Sequence, residues 1–178
     1  MFDLSYEIEF FSAWHCGSGM GGGRDADYCP LLDTEGLPYV PGKTLKGLFR
    51  NASEVLHGND FTERIFGIEG NREGQAIWSN ATLQAGTRAQ LQGTSAALKE
   101  MLHTTQYFIQ LDKNGQTVDK SLRRGEYIIP VKLYGVIRNL SEEDIDKIIL
   151  SGSRSNAGAT APACGLYLNK VSDEESNG

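Results

Sequence analysis

The chain has 178 residues, 39% hydrophobic and 22% charged, with a formal net charge of −6. That length favours one domain that buries its own core without staples, and the acidic balance argues against a non-specific nucleic-acid binder while leaving room for a local basic groove. No apolar run approaches the roughly 18 residues that span a bilayer, and no secretory leader is expected ahead of the first strand.

Residues 2–14 alternate apolar and polar at Leu4, Tyr6, Ile8 and Phe10, which predicts a half-buried strand. A long glycine-rich loop follows, "HCGSGMGGGRDADYCPLLDTEGLP". A compact domain rarely keeps a loop that long without a use for it. Next comes "LPYVPGKTLKGLFRNA". Pro41 disfavours helix at Val40, so a helix is expected from about Gly42. Leu45, Leu48, Phe49, Ala52, Val55 and Leu56 fall on one face at helical spacing, and Lys43, Lys46, Gly47 and Arg50 on the opposite face. Gly47 leaves that basic side without bulk, and the helix dipole and N-terminal amides add attraction for an anion. The plainer alternative is a solvated amphipathic helix.

"RIFGIEGNREGQAIWSNATL" reads as a turn-rich link feeding a strand over 76–83, and 94–102 as a short helix capped by Thr94 or Ser95. Two extended runs then flank a Lys-Asn-Gly turn, and a long strand is expected over 126–138, with Pro130 marking a bulge or an edge. "LSEEDIDKIILSG" is a helix capped by Ser141, with Asp144 three residues on, Ile145, Ile148 and Ile149 buried, and Gly152 at its end. A second glycine- and alanine-rich loop, "SRSNAGATAPACG", leads to a closing strand, "LYLNKV", and the chain ends in an acidic tail over 172–178, expected to be disordered. With its middle set aside the order is strand, helix, strand, strand, helix, strand. That is the α+β, split βαβ, ferredoxin-like pattern.

Three cysteines, Cys16, Cys29 and Cys164, lie without a CxxC pair. They suit a reducing cytoplasm and read as buried thiols. Their spacing with His15 gives no support for zinc.

Four blocks resemble one family, the RAMP superfamily of CRISPR-associated proteins. "LPYVPGKTLKGLFR" resembles the segment its members carry after their first glycine-rich loop. "RIFGIEGNREGQAIWSNATL" is similar to their Phe-Gly, spacer, Gly, strand block. "QLDKNGQTVDKSLRRGEYIIP" is similar to the segment before a central strand in type III members, and "SGSRSNAGATAPACGLYL" to the late glycine-rich loop. The layout most resembles the backbone subunit of type III effector complexes. The resemblance implies a single ferredoxin-like (RRM-like) RAMP domain over 1–171 with a thumb-like hairpin inserted at about 104–124. It implies as partners CRISPR RNA, target RNA, other Cas subunits and copies of the same chain.

On that resemblance Lys43, Lys46 and Arg50 would meet guide phosphates, Gly47 would permit close approach, and Ser153 and Arg154 of the late loop would face the same groove. Type III backbone subunits often cut target RNA with a first-loop aspartate and a divalent ion. The resemblance therefore implies Asp27 as catalytic residue and Mg²⁺ ligand, with Asp25 as rival. The chemistry would be attack of a 2′-hydroxyl on its phosphate. Two alternatives stay open: a structural subunit without chemistry, and a metal-independent RNA-processing endonuclease with His15 as general base. Asp33 reads as a turn residue beside Gly36. Tyr107, Phe108 and Tyr127 can stack bases, but in strands they read first as core or cross-strand pairs.

Overall fold

Leu4, Tyr6 and Ile8 turn inward on alternate positions of the first strand, β1 (Phe2–Glu9), and are 1%, 5% and 1% exposed. A computed structural model describes residues 1–17, 27–68, 70–119, 121–152 and 168–173, the last stretch as backbone only. The strand is shorter than the expected 2–14, because the alternation ends at Phe10, which is only half-buried. The chain is a mixed helix-and-strand protein divided into two units. One comprises Met1–Phe10, Val40–Gln84 and Lys132–Gly178, the other Phe11–Tyr39 and Ala85–Val131.

The first unit is built on a four-stranded sheet. Its strands are β1, β4 (Ile77–Trp78), β7 (Lys132–Leu140) and β8 (Leu168–Asp173), in the order β4-β7-β1-β8, and every neighbouring pair is antiparallel. Register places Tyr6 opposite Gly135. A side chain at 135 would run into the Tyr6 ring and hydroxyl, so glycine there is what lets the tyrosine lie across β7. The Tyr6 hydroxyl donates to the Ser79 carbonyl at 3.2 Å. Burial pushes this phenol up to about 12, partly offset by the Ser79 side chain.

Helices α1 (Gly42–His57), α2 (Asn59–Phe66) and α5 (Glu142–Ser151) belong to the same unit. Leu45, Phe49, Ile65, Phe66 and Ile148 are buried in its core. The Trp78 ring sits 5.0 Å from Phe49, 5.9 Å from Phe66 and 6.4 Å from Tyr6. Ser141 and Asp144 form the expected reciprocal cap on α5, and Gly152 ends it. Ile145 and Ile148 are buried as expected, but Ile149 is 37% exposed.

Helix α2 was not expected from sequence, and its last turn runs into residues 64–83, where a turn-rich link was expected. Its buried Phe61, Thr62, Ile65 and Phe66 give it a one-sided apolar pattern, and Gly67 in the left-handed region (φ 85°) stops it. A two-residue hairpin, β2 (Gly67–Ile68) with β3 (Arg72–Glu73), follows. The expected strand over 76–83 shrinks to β4 and isolated bridges from Ala81 to Val40 and from Thr82 to Tyr134.

The second unit holds α3 (Ala85–Leu91), α4 (Ala96–Glu100) and the antiparallel pair β5 (His103–Phe108) and β6 (Arg123–Ile128). The single strand expected over 126–138 is two strands in two sheets, β6 and β7, interrupted at residues 129–131. Pro130 has no amide hydrogen for a ladder, so it marks a break between the strands, not a bulge within one. Trp14 and Ile128 exchange backbone hydrogen bonds at 2.9 and 2.7 Å, tying the segment after β1 to β6. Asp33 is the turn residue its sequence suggests. Its Oδ1 accepts from the amides of Glu35 and Leu37, and its Oδ2 pairs with Arg88 at 2.7 Å. Burial would raise this carboxyl, but the Leu37 amide, Arg88 and the Glu35 amide together hold it below the usual range.

Candidate nucleic-acid interface

Helix α1 starts hard against the sheet. A side chain at Gly42 would meet the backbone carbonyls of Trp78 and Ser79, the latter at 2.7 Å, so only glycine allows this approach. That contact sets the rotation of the helix. Gly42, Leu45, Phe49 and Ser53 face inward, while Leu48, Val55 and Leu56 are 54%, 84% and 39% exposed. The apolar face expected from sequence is therefore split.

The cations move with this rotation. At about 100° per residue, Lys43, Lys46 and Arg50 centre roughly a quarter-turn from the buried stripe, along one flank of it. They do not lie opposite it. Lys43 is exposed, and Lys46 and Arg50 are half-buried. None of the three has an ion pair among the described residues, whereas Arg64, Arg88, Lys132, Arg138 and Lys147 all have one. Gly47 is exposed, and a Cβ there would meet nothing within 4 Å. The flank is thus cationic and unneutralised, and it is bare along its outer border at Gly47.

The helix N-terminus has less to offer an anion than expected. The Gly42 amide donates to Asn80 Oδ1 at 3.0 Å, and the amides of Thr44 and Leu45 return to the Pro41 carbonyl at 3.0 and 3.2 Å. Any attraction for phosphate at this helix rests mainly on its side chains.

Asp27 belongs to the second unit and is exposed. It exchanges two hydrogen bonds with Arg124: the Asp27 amide donates to the Arg124 carbonyl at 2.8 Å, and the Arg124 amide donates to Asp27 Oδ2 at 2.9 Å. The second carboxylate oxygen accepts no hydrogen bond among the described residues. Among those residues no three of His, Cys, Asp and Glu gather as metal donors. Mg²⁺ commonly binds through one or two carboxylates, with substrate phosphate and water completing its shell. Asp27 fits such an ion as a single protein donor, with RNA and water supplying the rest. Asp25, Ser153, Arg154 and Cys164 lie outside the described residues, as do residues 174–178 of the tail.

His15 is exposed, and its ring stands edge-on to Tyr127 with centroids 4.8 Å apart. His57 is engaged within the first unit, with its Nε2 3.0 Å from the Lys147 carbonyl. Cys16 and Cys29 are half-exposed, not buried thiols, and burial and the nearby Glu126 carboxylate raise the Cys29 thiol. Tyr107 and Phe108 are 65% and 42% exposed, so they are not core. Sequence reasoning left Arg123 and Arg124 unassigned inside the block it quoted, although adjacent arginines beside aromatic residues were a visible signal.

The sheet order, the helices and this cationic flank define a mixed helix-and-strand protein with an unneutralised basic edge on α1. The RAMP superfamily model matches residues 7–151, and the chain belongs to that superfamily. Its fold is similar to a chain of a type III-B Cmr-β complex bound to cognate target RNA. The TM-score is 0.62 at 11% identity, with 82% of this chain and 87% of that one covered. It is also similar to a chain of the same kind of complex in its apo state. There the TM-score is 0.60 at 13% identity, with 82% and 86% covered. No curated protein matches the chain. Among the described residues no helix is long and apolar enough to cross a membrane.

Proposed function

We propose that this chain is a backbone subunit of a type III CRISPR effector complex, working in the cytoplasm and binding CRISPR RNA through the cationic flank of α1. Membership of the RAMP superfamily supports the reading, as does likeness in fold to chains of Cmr-β complexes, one of them bound to target RNA. The observation that carries it is the unneutralised set Lys43, Lys46 and Arg50 beside bare Gly47. Phosphate contacts of this kind position a strand without reading its sequence. Copies of the chain along one guide would add avidity to a modest single-site affinity.

The strand order β4-β7-β1-β8, antiparallel throughout, with α1 and α2 in the first crossover and α5 in the second, supports a ferredoxin-like core. On this reading the β5–β6 hairpin is the thumb-like insertion of a single RAMP domain.

Target cleavage is a further part of the proposal. Asp27 would hold Mg²⁺ or receive the proton of a 2′-hydroxyl that attacks its own phosphate and expels the 5′-oxygen of the next nucleotide, leaving a 2′,3′-cyclic phosphate, and a bound Mg²⁺ would stabilise charge developing on the phosphate. The Arg124 amide fixes the carboxylate by one oxygen and leaves the other for this work. A binding-only subunit is the second reading, favoured by the lack, among the described residues, of any group of three His, Cys, Asp or Glu side chains gathered as metal donors.

The test is charge reversal. A variant with Lys43→Glu, Lys46→Glu and Arg50→Glu keeps its circular dichroism spectrum and loses at least a hundredfold in affinity for guide RNA. Unchanged affinity in the folded variant overturns the reading.

A further inference from the structure

Residues 84–102, which carry α3 and α4, contribute nothing to a core. Every one of them is exposed or half-buried, and Leu98 and Met101 are 49% and 69% exposed. The two helices have seven and five residues. Isolated helices shorter than roughly 12 residues do not persist in water. Neither apolar burial nor helix propensity therefore accounts for the order of this segment.

Polar contacts to one turn account for it. The segment from Ala85 onward and the turn Asp33–Gly36 belong to the same unit. Arg88 of α3 pairs with Asp33 Oδ2 at 2.7 Å and with Glu35 Oε2 at 2.7 Å. Gln92, just past α3, donates to Glu35 Oε1 at 2.8 Å. Lys99 of α4 runs its stem past Gly36, where a Cβ would stand 3.9 Å from Lys99 Cδ, and its Nζ donates to the Glu35 carbonyl at 2.6 Å. Arg88 and Lys99 are two of the few half-buried residues of the segment.

The turn does not need the segment in return. Asp33 Oδ1 accepts from the Glu35 and Leu37 amides, the Gly36 amide donates to the Asp33 carbonyl, and the Asp33 amide donates to the Leu37 carbonyl. The anionic receptor is thus preformed, and α3 with α4 is the part that can leave. At its far end the segment stays tied, because the Ile129 amide donates to the Leu102 carbonyl at 2.9 Å.

The Arg88, Asp33 and Glu35 side chains are 25%, 19% and 34% exposed, open enough for mobile ions to reach them. Salt screens such pairs and leaves apolar packing in place. We propose that residues 85–101 form a strap latched by charge to the Asp33–Gly36 turn, which opens as one unit while β5 and β6 stay folded. Opening bares the Asp33 and Glu35 carboxylates and frees Arg88 and Lys99. The strap is a switch for ionic conditions, separate from the cationic flank of α1.

Hydrogen exchange of the full chain, read by mass spectrometry at about 0.05 M and about 1 M NaCl, tests the latch. Rates are taken relative to the unfolded chain at the same salt. Amides of residues 86–91 and 97–102 exchange about tenfold faster at high salt, and those of β6 keep their rate. The double variant Asp33→Asn, Glu35→Gln retains an oxygen for the Glu35 and Leu37 amides, and its strap exchanges fast at both salt levels. Equal exchange of the wild-type strap at both salts, whether slow or fast, overturns the latch. So does an acceleration that β6 shares, because the segment would then open only with the whole unit. The wild-type comparison decides alone if the double variant fails to fold.

Discussion

Arg64 grips Asp144 with both terminal nitrogens of its guanidinium, Nη2 to Oδ1 at 2.6 Å and Nη1 to Oδ2 at 3.2 Å, so α2 and α5 are clamped by one bidentate pair. The Asp144 side chain is 1% exposed and also caps its own helix through the Ser141 amide. Burial alone would raise this carboxyl, but Arg64 and then Ser141 outweigh it and hold it at about 2, from an ordinary 3.8. The folded value lies below the unfolded one. The stabilisation is therefore complete above about pH 4 and is lost as pH falls toward 2, amounting to about 2 kcal/mol. Urea midpoints measured between pH 2 and 7 will show this step, and Asp144→Asn will remove it. Asp144→Ala, which strands Arg64 and deletes the cap, costs about 3 kcal/mol at pH 7.

The two glycines of α1 respond oppositely to a methyl group. Gly42→Ala forces the helix off the Trp78 and Ser79 carbonyls and destabilises by about 1–3 kcal/mol. Gly47→Ala enters open space and stabilises by about 0.5–1 kcal/mol through helix propensity. Thermal melts of the two variants separate in opposite directions. A bulky Gly47→Phe leaves the melting temperature near that of wild type and weakens guide binding, because it crowds the bare border of the cationic flank.

Salt provides a count of phosphate contacts. Three cations on a single strand give a slope of about −2 in log K against log salt. The slope should fall toward zero in the triple glutamate variant, and singly substituted Lys43→Ala should lower its magnitude by about 0.7. Anisotropy titrations over a salt series read all three values.

Asp27→Asn tests the cleavage reading with little change of shape, since its amide oxygen still accepts from the Arg124 amide. The variant should bind target RNA as wild type does and lose Mg²⁺-dependent cleavage by at least a hundredfold. Cleavage retained at the wild-type rate removes Asp27 from the chemistry.

Local chemistry made much of the fold legible. Alternation in β1, the Ser141–Asp144 cap and the start of α1 at Gly42 each follow from a few neighbouring residues. Helix α2 escaped notice because its eight residues sit between two glycines and hold only a short apolar pattern. The break at Pro130 escaped because β6 and β7 are both strand-like, and only pairing with different partners separates them. The rotation of α1 was hidden for a similar reason. It is decided by the backbone of residues 78 and 79, not by the helix's own hydrophobicity. The cations of α1 were visible in sequence. The bond from Arg124 to Asp27 spans 97 positions and carries no local signal.

The Gly42, Thr44 and Leu45 amides of α1 are already committed, to Asn80 and to the Pro41 carbonyl. A strand resting there would be steadied by long, rotatable side chains and not by a rigid cradle of main-chain donors. Such a hold accommodates a ribose-phosphate path that wanders by an ångström or two. Identical copies could then serve successive stretches of one guide whose local bends differ.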